Sequence, residues 1–203
     1  DNWLGGKELV IGIVPEGEPY AYPLKVMRDH EIVNGGINGR PIAVTYCPLC
    51  RSGIVFSRRV DDNVLEFGVS GRLLHANLVM YDRQTKTFWS QMVGQAIKGP
   101  LKPNKLQFLH SGIVEWEDWK KKYSRSKVLL GEKGARPPKL DDYNQYKWYE
   151  NSRDTFGTPF DDERLHPKKI VYGVRQEGEA VAYPENTVLS QEIIYDKVGG
   201  RKI

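Results

Sequence analysis

The chain has 203 residues, of which 39% are hydrophobic and 28% charged, and it carries a formal charge of +4. This composition is typical of a globular chain that buries a sizeable core, and it excludes an intrinsically disordered protein. No run of about 18 apolar residues occurs, so no transmembrane segment is expected, and the basic residues are too scattered to indicate nucleic-acid binding.

Short β-strands are predicted through the first half of the chain. Five stretches are rich in β-branched and aromatic residues and are separated by turn signals; they cover residues 8–14, 40–46, 53–60, 64–70 and 77–82. Two helical patterns, at residues 23–33 and 112–123, are expected to pack on the sheet. The predicted fold class is mainly β with a minor α+β part, a β-meander or small barrel with two or so packed helices.

The composition changes between residues 131 and 167, where Val and Ile become scarce and prolines, Asp pairs and aromatic residues are frequent. Aromatic side chains need apolar surface to lie on, so we interpret this stretch as a long ordered, aromatic-rich excursion that wraps this domain or a neighbour. The aromatic residues concerned are Tyr143, Tyr146, Trp148, Tyr149, Phe156 and Phe160.

An internal repeat is the most informative feature of the chain. Residues 10–42 align without a gap to residues 171–203, and 13 positions are identical, where chance at average composition gives roughly two. Both copies have the pattern of a strand, a Glu-Gly-Glu turn and a second strand that ends at Pro, which predicts a β-hairpin.

The repeat predicts how the chain is organised. Residues 1–167 are expected to form a β-rich domain with the Cys-x-x-Cys site, and residues 168–203 the start of a duplicated second unit that repeats residues 7–42. The expected partner of this second unit is either an unknown protein or the chain's own missing C-terminal half. In the second copy Gln191 stands where the first has His30.

Cys47 and Cys50 are the two cysteines of the chain, and they follow a predicted strand directly. Two thiolates on a tight turn can bind zinc, iron or soft copper, or they can form a redox dithiol or a structural disulfide. Thioredoxin-like motifs open a helix, whereas the residues after Cys50 have a strand pattern, so metal binding is favoured and the other two alternatives stay open. The remaining ligands of such a metal must come from His, Met or carboxylate side chains, with His30, His75, His110, His166 and Met80 as candidates.

Six segments carry a resemblance to a known family, among them "HEIVN" at 30–34, "AVTYCPLCRSG" at 43–53 and "LVMYDRQTKTFWSQ" at 78–91. In order and spacing they resemble the uncharacterised bacterial and archaeal family designated domain of unknown function 3179, over most of residues 3–184. The resemblance implies a usually exported protein whose hallmarks are the His, the Cys-Pro-x-Cys and the Met-Tyr-Asp-Arg-x-Thr segments. Two positions differ from the family pattern: Arg51 stands where the family usually has a small residue, and His75 where it usually has Asn.

The expected function is an extracytoplasmic domain, periplasmic or extracellular, with a copper or zinc ion at His30, Cys47 and Cys50. It would serve electron transfer, metal delivery or an oxidoreductase step. Four further residues are expected around this site or in binding: Glu31, Met80, Asp82 and Arg83. The chain opens on Asp1 with no leader pattern, which is expected of a mature protein or of an excised domain, so the compartment is expected from the resemblance and not from these residues.

Several simpler interpretations compete with this one. His30 can end the helix predicted at 23–33, Met80 can be a core residue, and Asp82 can hold a turn while Trp89 lies in the core. In the rival functional hypothesis Cys47 and Cys50 form a structural disulfide in a non-catalytic assembly or binding module.

Overall fold

The computed structural model describes residues 3–130, 151–159, 162–191 and 193–203. The chain divides into two compact units, residues 1–144 with 156–158 and residues 145–155 with 159–203. The fold is mainly β with a minor helical part, as predicted. In the part of the chain that the structure describes, the sheets stay open, so the predicted small barrel is not formed. No described helix has the length and apolarity to span a bilayer.

The first sheet of the first unit places an α-helix after each of two strands. Its strand order is β13-β1-β2-β14, with β1 Leu9–Ile13, β2 Tyr20–Pro23, β13 Ser111–Glu115 and β14 Lys127–Val128. Helix α1, Leu24–His30, follows β2, and α2, Trp116–Lys122, follows β13. The pattern at 112–123 therefore predicts the helix only in part, because its first residues pair with β1 as a strand.

The second sheet carries the cysteine loop. Its order is β12-β5-β4-β3, with β3 Ile32–Ile37, β4 Arg40–Cys47, β5 Ser52–Ser57 and β12 Phe108–Leu109. The β3–β4 turn contains Asn38 and Gly39, both at positive φ (50° and 76°), a conformation that Asn and Gly tolerate best.

The third sheet has the order β11-β10-β9-β8. Its strands are β8 Phe67–Leu74, β9 Asn77–Asp82, β10 Phe88–Ser90 and β11 Ala96–Lys98, and a small hairpin, β6 Arg59–Val60 with β7 Asn63–Val64, precedes them. The predicted strand at 64–70 thus divides between β7 and β8, with Leu65 and Glu66 as the link.

The central strand β4 explains where the core lies. Ala43 and Cys47 pack with Phe56, Met80 and Trp89 in one buried cluster that joins the second and third sheets. The alternate residues of β4 are Ile42, Val44 and Tyr46, and they pack in a second cluster with side chains of the first sheet and α1. Because successive side chains of a strand point to opposite faces, β4 is buried on both sides, and its residues 42–47 are apolar apart from Thr45.

The second unit repeats the start of the first in its hydrogen-bonding register. It contains β15 Val171–Gln176, β16 Glu179–Pro184, α3 Glu185–Ser190, β17 Lys197–Val198 and β18 Arg201–Lys202. Val171 pairs with Pro184 as Val10 pairs with Pro23, and the β17–β18 pairs match those of Gly36–Ile37 with Arg40–Pro41. The repeated sequence therefore builds the same pair of hairpins, while the domain boundary at 167/168 stays a prediction.

Most of the predicted aromatic excursion lies outside the described residues, since 131–150, Phe160 and Asp161 are not described. This holds for Tyr143, Tyr146, Trp148, Tyr149 and Phe160. Of the aromatic residues named for the excursion, Phe156 is described, and its side chain is exposed.

Candidate functional site

The cysteine loop joins two strands of the second sheet. Strand β4 ends at Cys47 and β5 begins at Ser52, and these two residues pair across the ladder, so residues 48–51 form a short loop at its end. Arg51 closes the loop with a positive φ of 53°. Both cysteines are free thiols; Cys47 is buried, whereas Cys50 is partly exposed. The residue Cys50 is thus the more accessible of the two, although its side chain still packs against the buried cluster that contains Cys47.

Two side chains lie within hydrogen-bond distance of the sulfur of Cys50. Asn77, the first residue of β9, donates from Nδ2 to Sγ over 3.2 Å, and the Ser52 hydroxyl lies 3.0 Å from the same sulfur. The neighbouring Cys47 thiol donates to the Ala76 carbonyl oxygen over 3.9 Å and has the Cys50 sulfur as an alternative acceptor. Sulfur in a thiolate is an acceptor only, so donors placed around it favour the ionised form of Cys50.

The buried side chain of Gln91 hydrogen-bonds to the residues around Cys50 and fixes their positions. Its Nε2 donates to Thr45 Oγ1 over 3.1 Å and to the Ser52 carbonyl over 3.3 Å. Its Oε1 accepts from Asn77 Nδ2 over 2.6 Å. The Met92 amide donates to Asn77 Oδ1 over 2.9 Å, which fixes the orientation of that amide group. Gln91 and Thr45 are fully buried, so this polar network is shielded from competing water.

The hydroxyl proton of Ser52 has two acceptors within reach. The Ser52 hydroxyl donates to Gln91 Oε1 over 2.9 Å, and its oxygen also lies 3.0 Å from the Cys50 sulfur. On ionisation of Cys50 this proton can turn to the sulfur, because Gln91 Oε1 keeps the bond from Asn77. Asn77 also donates to the Cys50 sulfur.

The two thiols have opposite pKa shifts. The hydrogen bond from Cys47, followed by those from Ser52 and Asn77, lowers the pKa of Cys50 although burial opposes this. The pKa of Cys47 is raised, because its proton serves the bond to Cys50, because it is buried, and because its ionisation would set two negative charges side by side. Of the two thiols, Cys50 is therefore the one that ionises first.

His30 lies near the cysteine loop in the backbone, but its side chain is exposed. It is the last residue of α1, and the following Glu31 accepts a hydrogen bond from the amide of Tyr46, the neighbour of Cys47. Burial raises the pKa of the Glu31 carboxyl. Within the described ranges no three His, Cys, Asp or Glu side chains group as a metal site would need. The Cys47, Cys50 and His30 metal site therefore stays a prediction.

The other residues expected around the site have partners within the fold. Met80 is fully buried in the cluster that contains Cys47. Asp82 is also fully buried, and its carboxyl accepts from the Thr85 amide over 2.6 Å and from Trp89 Nε1 over 3.0 Å. Arg83 pairs with Glu66 over 3.1 Å on the surface. The interpretation of Asp82 as a turn residue above a buried Trp89 is confirmed.

Replacing Asp82 by alanine should destabilise the domain by about 2–4 kcal/mol, since it leaves the buried indole N–H of Trp89 and the Thr85 amide without their acceptor. Chemical denaturation would measure this change. Glu66→Ala provides the control, because it removes only an exposed ion pair worth less than about 1 kcal/mol. Equal effects of the two substitutions would contradict this role of Asp82.

Four polar residues of the network around the cysteines were not predicted from the sequence: Thr45, Ser52, Asn77 and Gln91. One signal was available, because Thr45 interrupts the apolar run of β4 and Gln91 follows a buried tryptophan strand. A polar residue in such a position must find a hydrogen-bond partner inside the protein.

Comparison with known proteins gives one match. A family model described as "Protein of unknown function (DUF3179)" matches residues 1–203. No curated protein and no solved structure matches the chain.

Proposed function

The chain belongs to the DUF3179 family of proteins of unknown function, and from the geometry of its site we propose that Cys47 and Cys50 form a dithiol–disulfide redox pair. The observation that carries the proposal is the asymmetry of the two thiols. Cys50 is partly exposed and has a lowered pKa, whereas Cys47 is buried, has a raised pKa and hydrogen-bonds to it. An attacking thiolate beside a protonated second thiol is what exchange with a disulfide requires.

The exchange begins at Cys50. Its thiolate attacks one sulfur of a substrate disulfide, so that a Cys50–substrate bond forms while the substrate S–S bond breaks, and the departing thiolate takes a proton from solvent. Cys47 then gives up its proton and attacks the Cys50 sulfur, which releases the second substrate thiol. Two electrons pass from the protein to the substrate disulfide, and the protein retains a Cys47–Cys50 disulfide. The reverse sequence oxidises a substrate dithiol.

The absence of a helix after Cys50 does not argue against this chemistry. In helical Cys-x-x-Cys motifs the positive end of the helix lowers the thiol pKa. Here the side chains of Cys47, Ser52 and Asn77 supply the hydrogen bonds that favour the thiolate. These three side chains therefore replace the effect of the helix end, whose absence in the sequence disfavoured redox chemistry.

Equilibration with glutathione buffers of graded potential tests the proposal. We expect a reversible transition between a reduced protein and a form lighter by two hydrogens, in which mass spectrometry of peptides locates one Cys47–Cys50 bond. A protein that keeps both thiols at every potential, or that stops at a glutathione adduct, would contradict it. An oxidising extracytoplasmic compartment, which the family resemblance implies, fits such a pair.

Soft-metal binding is the second candidate, and the observation that favours it is the closeness of the two thiols, each of which shifts the pKa of the other. A copper or zinc ion that displaces the thiol protons would gain two thiolate ligands, with His30 as the nearest predicted addition. Metal analysis of protein purified without added metal tests it. This candidate requires about one equivalent of metal in the wild type and a clear loss in His30→Gln; a metal-free wild type would exclude it.

A further inference from the structure

In the first unit, one face of the β1–β2 hairpin supports two tryptophans. Val10 and Ala21 are fully buried in a cluster with Trp116 and Trp119 of α2. Gly12 lies between them, and a Cβ added there would overlap the ring of Trp119. Glycine is therefore required at position 12, because the indole ring lies directly on the strand backbone.

The second unit has the same hairpin face, but no described tryptophan packs on it. Val171, Gly173 and Ala182 are identical to the three residues of the first copy and have the same register. All three are exposed, Val171 by 39%, and no described atom lies within 4 Å of a Cβ built on Gly173. The requirement that explains Gly12 is thus missing at Gly173, although an exposed glycine in a strand interior weakens the strand.

The edge of the hairpin is also open. In the first unit β1 pairs on both sides, with β2 and with β13, the strand that leads into α2. Among the described residues β15 pairs with β16 alone, so its other edge presents unpaired backbone N–H and C=O groups. Tyr172, exposed by 48%, adds apolar surface to the strand.

We propose that this surface, the β15 edge with Val171, Gly173 and Ala182, docks a protein segment made of an antiparallel strand and a following helix. The strand adds to β15, and the helix lays an aromatic ring on Gly173. The first unit shows the occupant that this arrangement takes, since β13 and α2 supply the strand and the Trp119 ring to the identical residues Val10, Gly12 and Ala21. Strand addition supplies backbone hydrogen bonds, and the glycine selects for a flat ring.

A peptide with the sequence of residues 109–124, which covers β13 and α2, tests this docking on the isotope-labelled full-length chain. We expect the amide resonances of Val171, Gly173 and Ala182 to shift on titration. The matched peptide with Trp119→Ala should bind at least tenfold more weakly. Two protein variants, Gly173→Leu and Val171→Lys, should weaken binding of the unchanged peptide by a similar factor while the rest of the spectrum stays that of the folded protein.

Three results would overturn the proposal. The first is a titration without shifts in β15, and the second is binding that neither Gly173→Leu nor Val171→Lys weakens. The third is self-association of the chain that Gly173→Leu abolishes, which would assign the surface to a second copy. Shifts confined to Val10, Gly12 and Ala21 would also overturn the proposal, because the peptide would then only replace the β13–α2 segment of the first unit.

Discussion

Replacing Cys50 by serine should abolish disulfide exchange, whereas replacing Cys47 by serine should stop the reaction halfway. In Cys47→Ser the attacking thiolate remains but no second thiol releases it, so a mixed disulfide between Cys50 and the substrate accumulates. Mass spectrometry after incubation with a small disulfide such as oxidised glutathione would detect one adduct per chain. Cys50→Ser should show no adduct, because Cys47 is buried, and burial alone keeps the disulfide away from its sulfur and raises its pKa also in the absence of Cys50.

Thermal unfolding serves as the control for folding. Cys50→Ser should unfold like the wild type, whereas Cys47→Ser places a hydroxyl in the buried cluster and should unfold cooperatively at a modestly lower temperature. An adduct that forms on Cys47 in Cys50→Ser and is absent from Cys47→Ser would reverse the assigned roles. Such a result would mean that the partly exposed thiol is not the one that attacks.

Replacing Asn77 by alanine should raise the pKa of Cys50 by about one unit. The substitution removes a donor to the sulfur, and a hydrogen bond to a charged group contributes about 1.5–3 kcal/mol. One pKa unit corresponds to about 1.36 kcal/mol, so the lower end of this range gives a shift of about one unit. The midpoint of the pH dependence of Cys50 alkylation measures this shift. A purely structural role of Asn77 would lower stability and leave the midpoint where it is.

Asn104 offers the matched control for this experiment. It is another asparagine of the first unit, and its amide donates to Asp61 on the surface, over 3.2 Å. Asn104→Ala should leave the alkylation midpoint unchanged. A shift of equal size in both variants would show that the effect of Asn77→Ala does not come from its bond to Cys50.

Local patterns predicted the elements that depend on local sequence. The β-branched and aromatic residues at 40–46 predict a strand, and the structure has β4 there, between two core clusters. The repeat at 171–203 predicts a second hairpin, and its strands pair in the register of the first. These predictions succeed because alternation and turn residues are properties of neighbouring positions.

The helix predicted at 112–123 was half wrong for a physical reason. Its first part becomes β13, because Val114 and its neighbours pair with β1, which lies about a hundred residues earlier in the chain. The cysteine site escaped prediction in the same way. Its donors come from β5, β9 and the loop after β10, and only the packing of the second sheet on the third brings Asn77 and Gln91 to Cys50.

The pH dependence of alkylation, resolved for each cysteine by mass spectrometry, tests the proposed redox pair most directly. Because the pKa of Cys50 is lowered, its thiolate fraction rises and levels off at a lower pH than that of an ordinary thiol, whose pKa is about 8.5. We expect Cys50 to react first, with a midpoint well below this value, and Cys47 to stay unmodified in the same range. A midpoint at or above about 8.5 for Cys50, or earlier modification of Cys47, would contradict the assignment of Cys50 as the attacking thiolate.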